Sequence, residues 1–184
     1  MHKLIITVLA KDRPGIIAQV SDVLYQLDCN LENVNQMILQ NEFAGFFLTQ
    51  APADLPPETL ETTLKEKTQG AGLTIHVTHV EENGAPAPGQ GTDIFLITTS
   101  GPDQKGLVAR FSAIIAKYRA NILNLKAVFK GGPKPEANVM SYQVIITPDV
   151  DSQGLFAELR EKAAELDLDI RIQHRNIFDA INKI

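Results

Sequence analysis

A single cysteine, Cys29, no tryptophan and few aromatic residues set the first limits on this 184-residue chain. One thiol cannot close an intrachain disulfide or build a cysteine-rich zinc site, and a reducing compartment fits that usage. Long apolar runs are also missing. None approaches the ~20 residues a membrane-spanning helix needs, so no membrane partner is expected and the cytoplasm is the default location. An excess of basic residues is absent too. Lys and Arg number 17 against 22 Asp and Glu, a net charge of −5, which disfavours direct nucleic-acid binding across the chain. No Cys-x-x-Cys pair offers a metallochaperone site, and the strands lack the exposed aromatics of an RNA-binding sheet.

What the chain does have is an internal echo. A shift of 91 residues lays Asp12 on Asp103, Gly15 on Gly106, Ala18 on Ala109, Ser21 on Ser112, Asn30 on Asn121 and Asn33 on Asn124, with no gap between residues 4 and 34. Eight of those 31 positions are identical. A match of that length signals a duplicated structural unit. The apolar run 4–10 could pass for a signal-peptide core, but Lys11-Asp12-Arg13 follows it and its counterpart is internal. It reads as a strand.

The first unit reads in order as β-α-β-β-α-β. Leu4 to Leu9 is nearly continuous in apolar and β-branched residues, a strand. Asp12 suits a helix N-cap and Pro14 a first turn, after which Ile17, Val20, Leu24 and Leu27 recur at helical spacing. Residues 33–39 and 43–50 read as strands joined around Gln40-Asn41-Glu42. A weaker helix over 58–69 is closed by Gly70 and Gly72, and 73–80 is a last strand. The stretch 81–92 holds Gly84, Pro86, Pro88, Gly89 and Gly91 without a large apolar residue, a linker.

The second unit repeats that order. A strand over 94–99 precedes an Asp103-capped helix striped by Val108, Phe111, Ile115 and Tyr118. Strands over 124–130 and 139–146 flank a longer hairpin at Gly131-Gly132-Pro133-Lys134-Pro135. A helix over 152–166 and a strand alternating Leu168, Ile170 and Ile172 with polar residues complete it. The expected fold is therefore α+β. It comprises two ferredoxin-like units, 1–80 and 93–175, each a four-stranded antiparallel sheet with two helices on one face, plus an apolar tail, 176–184.

The repeated turn suggests chemistry. A helix start offers unpaired N–H groups and a positive dipole end, which attract a carboxylate. Gly15 and Gly106 let a ligand approach the backbone. Asn30 and Asn121 carry donors and an acceptor, and Asp12 and Asp103 could meet an ammonium group. A small zwitterion suits this set. An Asp cap and a turn glycine are equally ordinary structural signals, and Asn commonly ends helices, so both readings stand at this point.

The run Asp12-Arg13-Pro14-Gly15-Ile16-Ile17-Ala18, with Asn30-Leu31 later and the β-α-β-β-α-β order, resembles an ACT domain. The whole chain resembles two in tandem, of the glycine cleavage system transcriptional repressor type. The second motif is looser, with Gln104-Lys105 replacing Arg13-Pro14. The resemblance implies a non-enzymatic regulatory protein with no cofactor, whose amino-acid ligand sits between units and alters binding to a regulatory protein partner, in control of glycine or one-carbon metabolism or of transcription. It implies a homodimer. By match, the ligand residues are Asp12, Arg13, Gly15, Ile16, Asn30 and Asn33, with Asp103, Gly106, Leu107, Asn121 and Asn124 in the second unit. The alternative is a ligand-independent scaffold or accessory subunit of a metabolic enzyme.

Other constellations carry less. His76 and His79 are spaced to point to opposite faces of a strand, which disfavours a metal site. Ser21 and Ser112 sit in helices with no histidine nearby in sequence. Lys126, Lys130 and Lys134 read as a solvated hairpin. Formyltetrahydrofolate deformylase begins with a similar unit but continues into a hydrolase domain, whereas this sequence repeats the small unit.

Overall fold

The computed structural model describes residues 1–80, 91–129 and 138–176. The chain divides into two compact units, Met1–Gly84 and Ala85–Ile184. The expected linker lies largely outside the described residues, as do the Gly131–Pro135 hairpin with Lys130 and Lys134, and the tail beyond Asn176.

In the first unit, β1 (His2–Lys11), α1 (Ile16–Gln26), β2 (Asn30–Leu39), β3 (Glu42–Ala51), α2 (Pro57–Lys67) and β4 (Thr74–His79) follow one another. They form an antiparallel sheet of order β2-β3-β1-β4. The second unit runs β5 (Asp93–Gly101), α3 (Leu107–Lys117), β6 (Asn121–Val128), β7 (Asn138–Ile146), α4 (Ser152–Glu165) and β8 (Asp169–His174), with order β6-β7-β5-β8. Both units are thus α+β and ferredoxin-like, as the element order predicts.

The helices bury one sheet face. Leu4, Ile6 and Val8 of β1 alternate inward and pack with Phe43, Phe47, Ile75 and Val77 beneath Ile16, Val20, Leu24, Leu60 and Leu64. The second core repeats this with Ile97, Phe111, Ile115, Tyr142, Val144, Leu155 and Leu159. The helix stripes differ from expectation in one respect, and identically in both units. Ile16 and Val23, rather than Ile17 and Leu27, join Val20 and Leu24 in full burial. Likewise Leu107 and Ile114, rather than Val108 and Tyr118, join Phe111 and Ile115. A wide apolar stripe tolerates such a rotation, because its flanking residues remain partly buried.

The hairpin between β2 and β3 turns on Gln40 and Asn41, both left-handed (φ 48° and 69°), the primed geometry that matches strand twist. Bulges interrupt β2 between Leu31 and Asn33 and β6 between Ile122 and Asn124. The repeated asparagines therefore flank a duplicated bulge. Such an irregularity bends the strand locally and increases its twist.

Candidate functional site at the glycine turn

The turn after β1 is built from its backbone outward. Gly15 is the N-cap of α1 at φ 95°, and Gly106 is the N-cap of α3 at φ 82°. This left-handed conformation is costly for a residue with a Cβ. A Cβ at Gly15 would meet nothing within 4 Å, so the glycine is required by its backbone and not by crowding. The N-cap expected at Asp12 and Asp103 does not form. Neither helix has a side-chain cap; each chain enters its helix three residues later, through the glycine, and Pro14 lies outside α1. Freed from capping, the exposed carboxylates of Asp12 and Asp103 face solvent, while the Asp12 amide extends the sheet by donating to Asn41 O at 2.8 Å.

Around this turn lies an open groove of about 610 Å³, within the size range of small-molecule sites. Asp12, Arg13, Pro14, Gly15, Ile16, Ile17 and Ala18 form one wall, and Gln36, Ile38 and Phe43 the other. The first amides of α1 have no partner within the helix and carry the positive end of its dipole. Arg13 lines the groove too, and its guanidinium is held by Pro14 O at 3.3 Å, Gln19 Oε1 at 2.9 Å and Ala71 O at 3.2 Å. The Arg13 cation, the unpaired first amides and an apolar wall in Ile38 and Phe43 can together receive a carboxylate with a short side chain.

Of the residues predicted for this site, Asp12, Arg13, Gly15 and Ile16 are brought together. Asn30 and Asn33 are not. Asn30 lies opposite Gln50, which pairs with Lys3 at the far end of β1. Eight residues of strand separate Lys3 from Lys11, roughly 26 Å at ~3.3 Å per residue. The same holds for Asn121 and Asn124, opposite Ile145 and Gln143, relative to Asp103, Gly106 and Leu107. The groove residues that sequence reasoning missed are Gln36, Ile38 and Phe43. The signal was available, because β2 runs alongside β1 through β3 and its end must return to the end of β1.

The remaining reactive groups have local partners. Cys29 is buried, and burial first, then the charge of Asp28, pushes its thiol up, which keeps it protonated and inert. His76 reaches Glu61 at 3.1 Å, whereas His79 lies against the His2 ring at 5.2 Å. Ser21 Oγ donates to Ile17 O at 2.8 Å. Tyr142 Oη donates to Met140 Sδ at 3.5 Å, and full burial pushes its phenol up to about 12. Among the described residues no helix is long and apolar enough to cross a membrane.

Comparison with known proteins agrees with this architecture. The chain is 32% identical over 80 residues to a UPF0237 protein of Methanopyrus kandleri, covering 43% of this chain and 89% of that one. It is 27% identical over 124 residues to the glycine cleavage system transcriptional repressor of Escherichia coli, covering 67% of this chain and 63% of the repressor. Among solved structures, an unknown protein from Galdieria sulphuraria superposes with a TM-score of 0.78 at 22% identity, covering 94% of this chain and 98% of that one. A putative glycine cleavage system transcriptional repressor superposes at 0.68 and 19%, covering 94% and 96%; at these identities both show a shared fold. The sequence profile of the ACT domain matches twice, over residues 2–78 and 93–173, so the chain belongs to the ACT-domain family and carries the domain in tandem.

Proposed function

We propose that this protein is a non-enzymatic, cytoplasmic regulator that binds a free amino acid in the groove at Gly15 and passes the occupancy on to a protein partner. The observation that supports this most is the convergence of Arg13, the first amides of α1 and an apolar wall on one groove of about 610 Å³. Asp12, on the same wall, is available to the ligand's ammonium group because it caps nothing. Ligand binding would bias the packing of the elements that line the groove, and only differential affinity between two such states can carry a signal. The likeness to glycine cleavage system repressors favours control of glycine or one-carbon metabolism, through transcription or through an enzyme.

A homodimer belongs to the proposal. Along the edge strand β2 and the open sheet face, Leu9, Met37, Leu39 and Phe46 are 45–66% exposed, and an unpaired edge with such residues invites cover. The exposed Asn30 and Asn33 are too distant to serve the groove of their own unit, and in a homodimer a second copy of the chain would supply them to it; Asn121 and Asn124 stand likewise toward the turn at Asp103, Gly106 and Leu107. The same exposed face favours the second reading, a scaffold whose contacts ignore ligands.

Titration calorimetry of the whole protein with each of the twenty amino acids tests the sensing role. Binding of one or a few, abolished in Gly15→Asp, is expected. A wild-type protein that binds none would end this reading, and partner retention in native lysate that is indifferent to amino acids would favour the scaffold.

A further inference from the structure

The duplication provides an internal control on the residue two positions before the glycine. Arg13 donates Nη2 to Ala71 O in the first unit. In the second unit Gln104, at the corresponding place, donates Nε2 to Leu166 O at 2.7 Å. The acceptors correspond as well: each precedes a left-handed residue, Gly72 at φ 69° or Asp167 at φ 56°, in the approach to β4 or β8. Both side chains thus strap the glycine turn to the loop between the second helix and the last strand. A neutral amide suffices for that strap, so the positive charge of Arg13 is not required by it.

That charge also remains uncommitted. Among the described residues Arg13 has no ion pair; it lines the groove, and its guanidinium is held in place by three carbonyl or amide oxygens, of Pro14, Gln19 and Ala71. The second unit does carry a cation, Lys105, one residue further on. Its side chain is exposed and makes no hydrogen bond or ion pair among the described residues. A guanidinium held in place binds an anion at lower ordering cost than a free lysine. The facing wall changes too, with Ala127, Phe129 and a buried Asn138 where the first unit has Gln36, Ile38 and Phe43.

We infer that Arg13 is the specificity-determining residue of the groove, selecting a carboxylate, and that the second unit keeps the strap without the selection, so that each chain takes up one ligand molecule. This rests on the amino-acid-sensing reading for the ligand's identity but not for the placement of the anion site.

The test therefore has an arm that needs no identified ligand. Amide NMR of the full chain titrated with acetate should move Ile16, Ile17 and Ala18 and leave Leu107, Val108 and Ala109 in place. In Arg13→Gln, which retains the strap, the acetate response should weaken about tenfold or more, the effect of losing a charge-assisted bond, while the melting temperature stays at the wild-type value. Arg13→Ala and Gln104→Ala, which remove the strap, should lower it. For any amino acid that binds, calorimetry should give one molecule per chain. Equal acetate shifts at both turns, or at neither, would overturn the inference, as would two molecules per chain or Arg13→Gln binding as tightly as wild type. If no amino acid binds but acetate still selects the first turn, the sensing reading fails and the anion site stands.

Discussion

Position by position, the second unit repeats the first with a shift of 91 residues through β2 and β6, and of 95 from β3 and β7 onward. The features that survive this copying are backbone features: left-handed glycine caps at 15 and 106, left-handed residues at Asp28 and Arg119, and the bulges beside Asn33 and Asn124. What changes is the side-chain solution at fixed positions. Phe47 becomes Tyr142, both fully buried, and the added hydroxyl donates to Met140 Sδ at 3.5 Å. Glu61, whose Oε2 accepts from Val77 N at 2.8 Å, becomes Phe156, which packs on Phe95 at 4.9 Å. Ala10 becomes Gly101, and Arg13 becomes Gln104. The backbone is the conserved solution to one steric problem; the side chains are free to specialise wherever the fold leaves them a choice.

The largest effect that separates the units is expected in their cores. Phe47→Ala and Tyr142→Ala should each destabilise by about 3–5 kcal/mol, the usual cost of emptying a large aromatic site. Hydrogen exchange should locate the loss of protection in the unit that carries the substitution; loss spread evenly over both would contradict separate cores. An intermediate effect is expected at the position where only one copy is crowded. A Cβ on Gly101 would lie 2.6 Å from Leu168 Cδ2 and 2.9 Å from Asp167 O. Gly101→Ala should therefore cost about 1–3 kcal/mol through overpacking, measurable by denaturant unfolding, even though Ala is the natural residue at position 10.

The smallest effect is electrostatic and belongs to the first unit alone. Lys65 first, then the Val77 amide, hold the Glu61 carboxyl below the usual carboxylate range. A group lowered in the folded state adds stability that is complete above its ordinary pKa and is lost as pH falls through the lowered folded value. Glu61→Gln should therefore narrow the stability gap to wild type as the pH drops from neutral into that acidic window, and Phe156→Leu should show no such pH dependence. Parallel stability–pH curves for wild type and Glu61→Gln would remove the claim.

The duplicated β-α-β-β-α-β order was legible because apolar spacing follows from which side chains the core must cover, and both copies report it independently. The glycine turn was legible as well, since few residues other than glycine tolerate its backbone. The role of Asp12 was misread because a cap depends on where the helix begins, and α1 begins at Ile16, three residues beyond the position an Asp12 cap implies. In sequence the asparagines read as companions of the turn, because they keep the same spacing from it in both copies. Yet α1 carries the chain back along the sheet, so that Asn30 starts β2 at the opposite end.

By itself the sequence determined a tandem ACT-domain chain and the backbone of its glycine turns, because both are local or periodic consequences of side-chain size and shape. Only the tertiary structure decided which residues face that turn. Gln36, Ile38 and Phe43 arrive there through strand pairing, and Arg13 is held by a carbonyl 58 positions away. Contacts between residues so distant in the chain depend on sheet order and register, which no local pattern encodes.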